Sequence, residues 1–238
     1  MENTRKKFLK QLLISATAVP VLIDACKKGD STDPSKDSSS SGCTVSPEET
    51  DGPYPLYTSR GSSIQRVDIT DGKEGLPLHI TLNILNTNDS CNPLANARVD
   101  IWHCDKDGYY SGYSNRGYLG NQDNTALVFC RGLQYSDTAG QVKFTSVYPG
   151  WYEGRITHIH AQVYVNSKLK TTTQIAFPDD INTAVYKTAL YAAHGQNTSV
   201  AKNSADMIFS DSLSAELASV TVNTGGGYDL VHNIYVAG

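Results

Sequence analysis

Short runs of β-forming residues, separated by turn-forming clusters, are the feature that most constrains the fold of this chain. In LHITLNIL, which begins at Leu78, an apolar residue occupies every second position. Five further runs are rich in β-branched and aromatic residues: ARVDIWHC, QVKFTSVY, THIHAQVYV, TTTQIAF and DLVHNIYVA. Gly, Asn, Asp and Pro cluster between the runs, as in NTNDSCNP and SDTAG. Many short strands joined by turns predict a β-sandwich or a barrel.

One stretch, Ile181–Gly195, has helical character instead. Asp179 or Asp180 can cap its start, and Gly195 can end it. A second short helix is predicted through SAELAS. The predicted fold class is therefore mostly β, an antiparallel β-sandwich with one or two short helices. With 238 residues, of which 39% are hydrophobic, the chain is long enough for one domain of this kind.

Residues 1–26 predict an export signal. Arg5 and Lys6 open a basic stretch before an apolar run that is too short and too interrupted for a transmembrane helix. The run ends at Cys26, in a context similar to a bacterial lipobox, although Asp24 departs from that pattern. An ordinary cleaved signal with an incidental cysteine is the alternative. TRKKFLK resembles a twin-arginine signal with Lys6 in place of the second arginine, so both export routes stay open.

Residues 27–42, KKGDSTDPSKDSSSSG, contain no large apolar residue and predict a disordered tether. The globular domain then spans residues 43–238. The formal net charge of the chain is −4, and this acidic balance argues against a nucleic-acid partner. We expect an exported bacterial protein, lipid-anchored in the periplasm or at the cell surface, whose only membrane contact is that anchor.

Five cysteines become four if Cys26 carries lipid. Cys43, Cys91, Cys104 and Cys130 can form two disulfides in an oxidising compartment, with three possible connectivities. Their wide spacing matches no zinc-finger pattern. Cys104 and Cys130 lie in apolar or aromatic segments, so buried free thiols are the alternative for these two.

Two histidines, His158 and His160, are separated by one residue in THIHAQVYV. In a strand, alternate side chains share a face, so both histidines point to one side together with Gln162 and Tyr164. They are then about 6.5 Å apart along the backbone and can converge on one metal ion. Two surface histidines without a metal are the alternative reading of this motif alone.

Tyrosines on glycine turns accompany the histidine pair. Tyr152 follows the Pro-Gly turn of PGWYEGR, and the adjacent Tyr109 and Tyr110 follow the glycine of WHCDKDGYY. Such tyrosines often cap the edge of a sandwich. A phenolate is also a hard anionic donor, and two phenolates with two imidazoles suit Fe(III) better than zinc or copper(I). A cation would hold the phenols deprotonated far below their free pKa of about 10.

Taken in order, these motifs resemble the intradiol ring-cleavage dioxygenases, the family of protocatechuate and catechol dioxygenases. The resemblance extends from about Pro47 to the C-terminus. The matching segments are SPEETDGPYPL, QRVDITDGKEGLPLHITLNIL, NARVDIWHCDKDGYYSGY and FCRGLQYSDTAGQVKFTSVYPGWYEGRITHIH. The shared order is Trp, Gly-x-Tyr, Arg-Gly, Pro-Gly-x-Tyr, Arg and His-x-His.

The resemblance implies a set of site residues. The implied metal ligands are Tyr110, Tyr152, His158 and His160. Arg155 is similar to the family's active-site arginine, and Gln174 to a glutamine near the substrate. Tyr54 corresponds to the segment that approaches the substrate pocket. The adjacent Tyr109 makes a slip of one residue at Tyr110 conceivable.

The implied activity is that of a non-haem Fe(III) dioxygenase. Such an enzyme uses O2 to cleave the ring of a catechol between its two hydroxylated carbons, and the product is a cis,cis-muconate. Tyr152 is expected to leave the metal when the substrate binds and to accept a substrate proton. Arg155 is expected to offset developing negative charge, with the anchoring of a structural carboxylate as its alternative role. The partners are thus a small aromatic diol and O2. The sequence specifies neither one diol nor an oligomeric state.

Two other classes of function fit parts of the pattern. A lipid-tethered β-sandwich can be a binding module for a sugar or surface polymer, with the tyrosines and Trp151 as a stacking platform. A zinc hydrolase can use the histidine pair, and Glu153 is the only carboxylate nearby in sequence. The visible colour of an Fe(III)–tyrosinate protein distinguishes the dioxygenase from both.

Overall fold

The computed structural model describes residues 43–55 and 64–238. The strands are β1 Pro77–Asn86, β2 Asn92–Pro93, β3 Arg98–Trp102, β4 Ser114–Gly117, β5 Gly120–Asp123, β6 Arg131–Tyr135, β7 Gln141–Val147, β8 His158–Val165, β9 Lys168–Ala176, β10 Ser219–Val222 and β11 Tyr228–Val236. The helices are α1 Asp179–Val185 and α2 Leu213–Glu216, with 3₁₀ turns at Thr87–Asp89 and Asn203–Ala205. The predicted signal peptide, lipobox and tether lie outside the described residues.

Two sheets form the sandwich. In the first, β1 is central: β11 lies on one side with β10 beyond it, and β7 and β2 pair with the other side. The second sheet has the order β6-β3-β8-β9 and is antiparallel throughout. Strands β4 and β5 form a separate hairpin. The predicted class, mostly β with two short helices, is confirmed, although the long β1–β11 pairing is parallel.

The core lies between the two sheets and follows the predicted alternation. Leu78, Ile80 and Leu82 of β1 are buried, while the residues between them are exposed or half-buried. From the opposite sheet, Ile159 and Ala161 of β8 pack into the same cluster. Because β8 buries these residues in the core, its histidines must point to the other face of the sheet.

The first helix is shorter than the sequence indicates. It ends at Val185, whereas the prediction extended it to Gly195. Tyr186 and Tyr191 are both buried, and their hydroxyls donate to the carbonyls of Pro149 and Tyr148. In a continuous helix, residues five positions apart point about 140° away from each other, so both could not reach the core. Tertiary contacts therefore override the helical pattern.

One disulfide and two thiols account for the described cysteines. Cys43 is bonded to Cys91, with a Cα–Cα distance of 5.9 Å. Cys104 and Cys130 are free and buried, and burial raises the pKa of each thiol. Of the two possibilities left open by the sequence, the structure therefore has one disulfide and two buried thiols. Neither helix in the described part of the chain has the length and apolar character that crossing a membrane requires.

Candidate metal centre

His158 and His160 lie on β8, which is hydrogen-bonded on both sides. His160 is opposite Trp102 of β3 and Gln174 of β9. Both imidazoles are buried, with relative exposures of 2% for His158 and 1% for His160. The alternation of the strand places them on one face, as the sequence predicts, and their Nε2 atoms are 3.1 Å apart.

Two tyrosine hydroxyls approach the same point. Oη of Tyr110 and Oη of Tyr152 each lie 3.4 Å from Nε2 of His158. Ligand atoms that are each about 2.1 Å from one ion are separated by about 3.0–3.4 Å when the angles are between square and tetrahedral. The structure therefore brings together the four side chains predicted as ligands, and the three distances to Nε2 of His158 are those expected around a shared metal ion.

The orientation of each imidazole is fixed. Nδ1 of His158 lies 2.5 Å from the carbonyl oxygen of Ile156, so this nitrogen carries the proton and Nε2 presents its lone pair. The ring of His160 stacks on Trp102, with centroids 4.9 Å apart and planes 2° apart. Gly52 lies against this ring with φ +69°, and a Cβ there would come 3.0 Å from Cε1 of His160. Within the described residues Nδ1 of His160 has no hydrogen-bond partner, so packing holds this ring.

Burial sets the protonation of the four groups. It lowers the pKa of His158 to about 3 and that of His160 well below its usual value. Burial also raises the pKa of Tyr110 well above its usual value and that of Tyr152 to about 12. Without a cation the site therefore holds two neutral imidazoles, ready to donate, and two neutral phenols that a metal must deprotonate.

The loop that carries Tyr110 is shaped by Asp105. Its Oδ1 accepts the backbone N–H groups of Asp107 and Tyr109, each at 3.0 Å. The turn then requires Gly108, which has φ +85° and where a Cβ would lie 2.3 Å from the carbonyl oxygen of Trp151. Asp105 is not among the residues predicted for the site from the sequence. An Asp two to four residues before the amides of a glycine turn is the local signal that indicates such a role.

The two adjacent tyrosines point in different directions. The hydroxyl of Tyr109 donates to the carbonyl of Gly120 and accepts the N–H of Leu119, so its ring packs under the β4–β5 hairpin. Only Tyr110 faces His158. The structure thus places Tyr110 at the site, in agreement with the Gly-x-Tyr alignment.

Asp105 also connects the second tyrosine loop to the first. Its carbonyl oxygen accepts the N–H of Gly150, in the Pro-Gly turn before Tyr152, at 2.9 Å. Its Oδ2 accepts from Nζ of Lys73 at 2.7 Å. Backbone and side chain of one buried residue therefore hold together the loops of Tyr110 and Tyr152.

Arg155 and Gln174 are both near the centre, as predicted. Nη2 of Arg155 donates to Oε1 of Gln174 at 2.7 Å, and Nε2 of Gln174 donates to the carbonyl of Thr50 at 2.9 Å. Nε of Arg155 donates to the carboxylate of Asp206, a residue that sequence analysis missed. The alternative role of Arg155, anchoring a carboxylate, is thus present in the structure.

Asp206 is fully buried and stays ionised. Burial alone would raise the pKa of its carboxyl, but hydrogen bonds from Arg155 and from the N–H of Ile156 hold this pKa below its usual value. No local pattern around NSADM marks this residue, since its partners lie about fifty positions earlier.

Tyr54 packs over the proposed ligands. Its ring stacks on Tyr110, with centroids 4.8 Å apart, and meets Tyr152 edge-on at 6.4 Å. The buried guanidinium of Arg131 donates to the carbonyls of Tyr54 and Pro55, at 3.0 and 3.1 Å. Arg131, also not singled out from the sequence, thus ties the N-terminal segment to the site.

Within residues 43–55 and 64–238, no group of three or more His, Cys, Asp and Glu side chains could hold a metal ion. Glu153, the carboxylate considered for zinc, is exposed. The side-chain oxygens that do lie beside the histidine pair are the hydroxyls of Tyr110 and Tyr152.

No protein-family model and no curated protein matches the sequence. Solved structures do match. An intradiol ring-cleavage dioxygenase from Tetranychus urticae is 27% identical, with a TM-score of 0.69 over 82% of this chain and 94% of that one. The dioxygenase domain of a dioxygenase–carbohydrate-binding fusion from Streptomyces sp. SirexAA-E is 24% identical, with a TM-score of 0.57 over 81% and 98%. A 3-chlorocatechol 1,2-dioxygenase from Rhodococcus opacus shares the fold at 17% identity, with a TM-score of 0.54 over 81% and 72%.

The molecule is thus a β-sandwich with two tyrosines and two histidines gathered at one end of the β6-β3-β8-β9 sheet. In its fold, and at 27% sequence identity to the Tetranychus urticae enzyme, the chain is similar to the intradiol ring-cleavage dioxygenases.

Proposed function

We propose that this protein is an Fe(III)-dependent dioxygenase that cleaves a catechol ring between its two hydroxylated carbons, giving a cis,cis-muconate. The observation that carries the proposal is that the donor atoms of Tyr110, Tyr152 and His160 each lie 3.1–3.4 Å from Nε2 of His158. The likeness to dioxygenase structures supports the same reaction class.

The donor set fits ferric iron. Two phenolates are hard anionic ligands and offset two of the three positive charges, while the two imidazoles are neutral because burial keeps their pKa values low. Bound there, Fe(III) would supply the Lewis acid that draws electron density from a catecholate and makes its ring reactive toward O2.

The two tyrosines differ in burial, and this difference suggests their roles. Tyr110 is fully buried beneath Tyr54, whereas Tyr152 is half-buried at the surface of the site. We assign to Tyr152 the movement that makes room for the substrate. Its oxygen would then take a proton from a catechol hydroxyl, a transfer that its high pKa favours once it is no longer coordinated.

Arg155 supplies positive charge beside these groups. Its charge opposes the effect of burial on the pKa of Tyr152, and therefore favours the phenolate at that residue. The bonds to Asp206 and Gln174 fix the guanidinium, so that its charge is in place before the reaction begins. Gln174 is assigned to hold Arg155 and to line the substrate site, and Tyr54 to cover the substrate ring.

The binding-module alternative receives less support. A stacking platform needs exposed ring faces, but Tyr110 is fully buried and the hydroxyls of Tyr110 and Tyr152 face His158. One face of Trp151 is already covered by His194, with centroids 4.1 Å apart. The hydroxyls of the two tyrosines are thus turned toward His158 rather than presented to a polymer.

Iron loading, colour and oxygen uptake test the proposal together. The full chain is expressed, loaded with ferric iron and offered catechol, hydroxyquinol and protocatechuate. We expect about one iron per chain, a red-brown absorption from tyrosinate–Fe(III), and O2 consumption with at least one diol. A colourless protein that retains zinc or no metal, and consumes no O2, would contradict the proposal.

We further propose that residues 1–26 direct export and that Cys26 carries a lipid anchor. The Cys43–Cys91 disulfide supports an oxidising compartment. Expression in a bacterial host with Cys26→Ser as the comparison tests this: the parent should be in the membrane fraction and the variant in the soluble exported fraction. If both are soluble, the cysteine is incidental.

A further inference from the structure

A groove of about 470 Å³ lies directly beside Tyr152. It is bordered by the β4–β5 hairpin, the Trp151–Glu153 turn and the loop that contains Thr198. Ligand sites commonly have volumes of about 300–1,000 Å³, so this groove exceeds what one small substituent needs. None of the steps assigned above uses it.

One wall of the groove is a stack of three aromatic rings. His194 lies between Tyr118 and Trp151, with centroid distances of 4.3 and 4.1 Å and interplanar angles of 9° and 16°. The indole N–H of Trp151 donates to the carbonyl of Gly195 at 2.9 Å, and the hydroxyl of Tyr118 donates to Asp107 at 2.7 Å. These bonds fix the wall, so a ligand ring would meet a preformed apolar surface.

The rest of the groove is polar and carries both signs of charge. Arg116, Glu153 and Thr198 line it and are exposed. Asp107 also lines it, but its carboxylate already accepts from Tyr118 and Lys106. A groove lined by charges of one sign only would select a substituent of the opposite charge. This mixture instead suits a neutral group whose hydroxyls can donate to a carboxylate and accept from a guanidinium.

Tyr152 connects the groove to the candidate metal centre. The residue lines the groove, and its hydroxyl is 3.4 Å from Nε2 of His158. Tyr152 therefore stands between the groove and the centre, and the movement assigned to it above would open one to the other.

We propose that the groove is a subsite for a second aromatic ring, so that the preferred substrates are catechols with a neutral, hydroxylated or unsubstituted aryl group. The proposal rests on the proposed dioxygenase function. The aryl ring would lie against the Tyr118–His194–Trp151 wall, while the catechol part occupies the centre.

The first test compares catechol with 3,4-dihydroxybiphenyl as substrates of the iron-loaded full chain. We expect kcat/KM to be at least about tenfold higher for the biphenyl, the discrimination that one apolar group typically gives. Tyr118→Ala should lower the biphenyl-to-catechol ratio of kcat/KM by about tenfold. Tyr135→Ala is the matched control, because Tyr135 is similarly exposed, at 49% against 41%, and lies at the far end of the sheet.

A second groove variant tests the inference independently, in case Tyr118→Ala does not fold. Thr198→Trp fills the groove but leaves the aromatic stack intact, and it should lower the same ratio. Thr221→Trp, at an exposed position on β10, is its control. Equal kcat/KM for the two substrates, or an unchanged ratio in both groove variants, would overturn the inference while leaving catechol cleavage intact. A higher kcat/KM for a glycosylated catechol than for the biphenyl would also overturn the aryl assignment.

Binding to the metal-free full chain separates this inference from the proposed function. By titration calorimetry, we expect 3,4-dihydroxybiphenyl to bind at least about tenfold more tightly than catechol, and Thr198→Trp to remove the difference. This result would support the assignment of the groove as an aryl subsite even if neither diol is cleaved. Equal affinities for the two diols would reject that assignment even if both diols are cleaved.

Discussion

Nε of Arg155 lies 3.1 and 2.9 Å from the two carboxylate oxygens of Asp206. Oδ2 of the same carboxylate also accepts the N–H of Ile156 at 2.9 Å, and the carbonyl of Ile156 faces Nδ1 of His158. Asp206 therefore orients both the cation and, through one peptide, a proposed metal ligand. This relationship makes Asp206 a positioning residue rather than a group that touches substrate.

Replacing Asp206 tests that role. Asp206→Asn removes the negative charge opposite a buried guanidinium, and breaking a buried pair in this way costs about 3–5 kcal/mol. We expect a corresponding decrease in the free energy of unfolding, measured with urea, and a lower kcat with altered visible absorption of the iron-loaded protein. Asp211→Asn, at an exposed position five residues later, is the control. If Asp206→Asn and Asp211→Asn have the same free energy of unfolding, the Arg155–Asp206 pair does not anchor the site.

The tyrosine assignments are tested by removing single hydroxyls. Tyr110→Phe and Tyr152→Phe should each weaken iron binding and reduce the visible absorption, because each removes one anionic donor. Tyr152→Phe should also slow turnover. Tyr109→Phe is the matched control, since its hydroxyl bonds only to the hairpin side. Full colour and rate in Tyr152→Phe would show that its assignment as a ligand is wrong.

Iron binding should release protons and strengthen with pH. The pKa values of Tyr110 and Tyr152 are raised in the metal-free protein, so both phenols must lose a proton on coordination. The histidines contribute none above about pH 5, because the pKa of His158 is about 3 and that of His160 is also low. With two protons released, the binding constant should rise about 100-fold per pH unit. Competition with a chelator at several pH values measures the slope of the logarithm of the iron binding constant against pH. In Tyr152→Phe only one phenol remains to lose a proton, so this slope should be half that of the parent. A binding constant that does not change with pH would argue against tyrosinate ligation.

Asp105 should matter for both stability and metal affinity. Asp105→Ala leaves two backbone N–H groups and Lys73 without their acceptor, which costs about 2 kcal/mol or more. Because this residue joins the loops of Tyr110 and Tyr152, iron affinity should fall as well. Asp123→Ala is a suitable control, since Asp123 makes a similar turn bond to Thr125 in the exposed hairpin. Unchanged iron affinity in a folded Asp105→Ala protein would contradict the positioning role.

Glu216 gives the molecule a pH-dependent stability. Burial, followed by the nearby charges of Glu49 and Asp211, raises its pKa to about 7, although a hydrogen bond from Ser212 and the charge of Arg155 act in the opposite direction. Since the folded state holds this proton more tightly than the unfolded state, the contribution of Glu216 to stability falls between about pH 4.5 and pH 7. Glu216→Gln should therefore be more stable than the parent at pH 8 and similar to it at pH 4.5, by urea unfolding. Exposed Glu48→Gln is the control, and equal stabilities at pH 8 would refute the assignment.

Local periodicity was sufficient for the strands and for the histidine pair. Alternation in LHITLNIL and THIHAQVYV predicts which residues enter the core, and Ile159 and Ala161 are buried there. It was not sufficient for Ile181–Gly195, where the inward-facing Tyr186 and Tyr191 end the helix. Spacing alone also could not decide whether Tyr109 or Tyr110 is the proposed ligand, because both follow the same glycine. The packing of Tyr109 under the hairpin distinguishes them.

The sequence by itself determined the β-sandwich class and the side of β8 on which His158 and His160 lie, because the two-residue period of a strand is a local property. Only the tertiary structure brought Tyr110 to His158, across 48 positions, and Asp206 to Arg155, across 51. Contacts at such separations depend on how the sheets and loops pack, and no local pattern specifies which pair will meet.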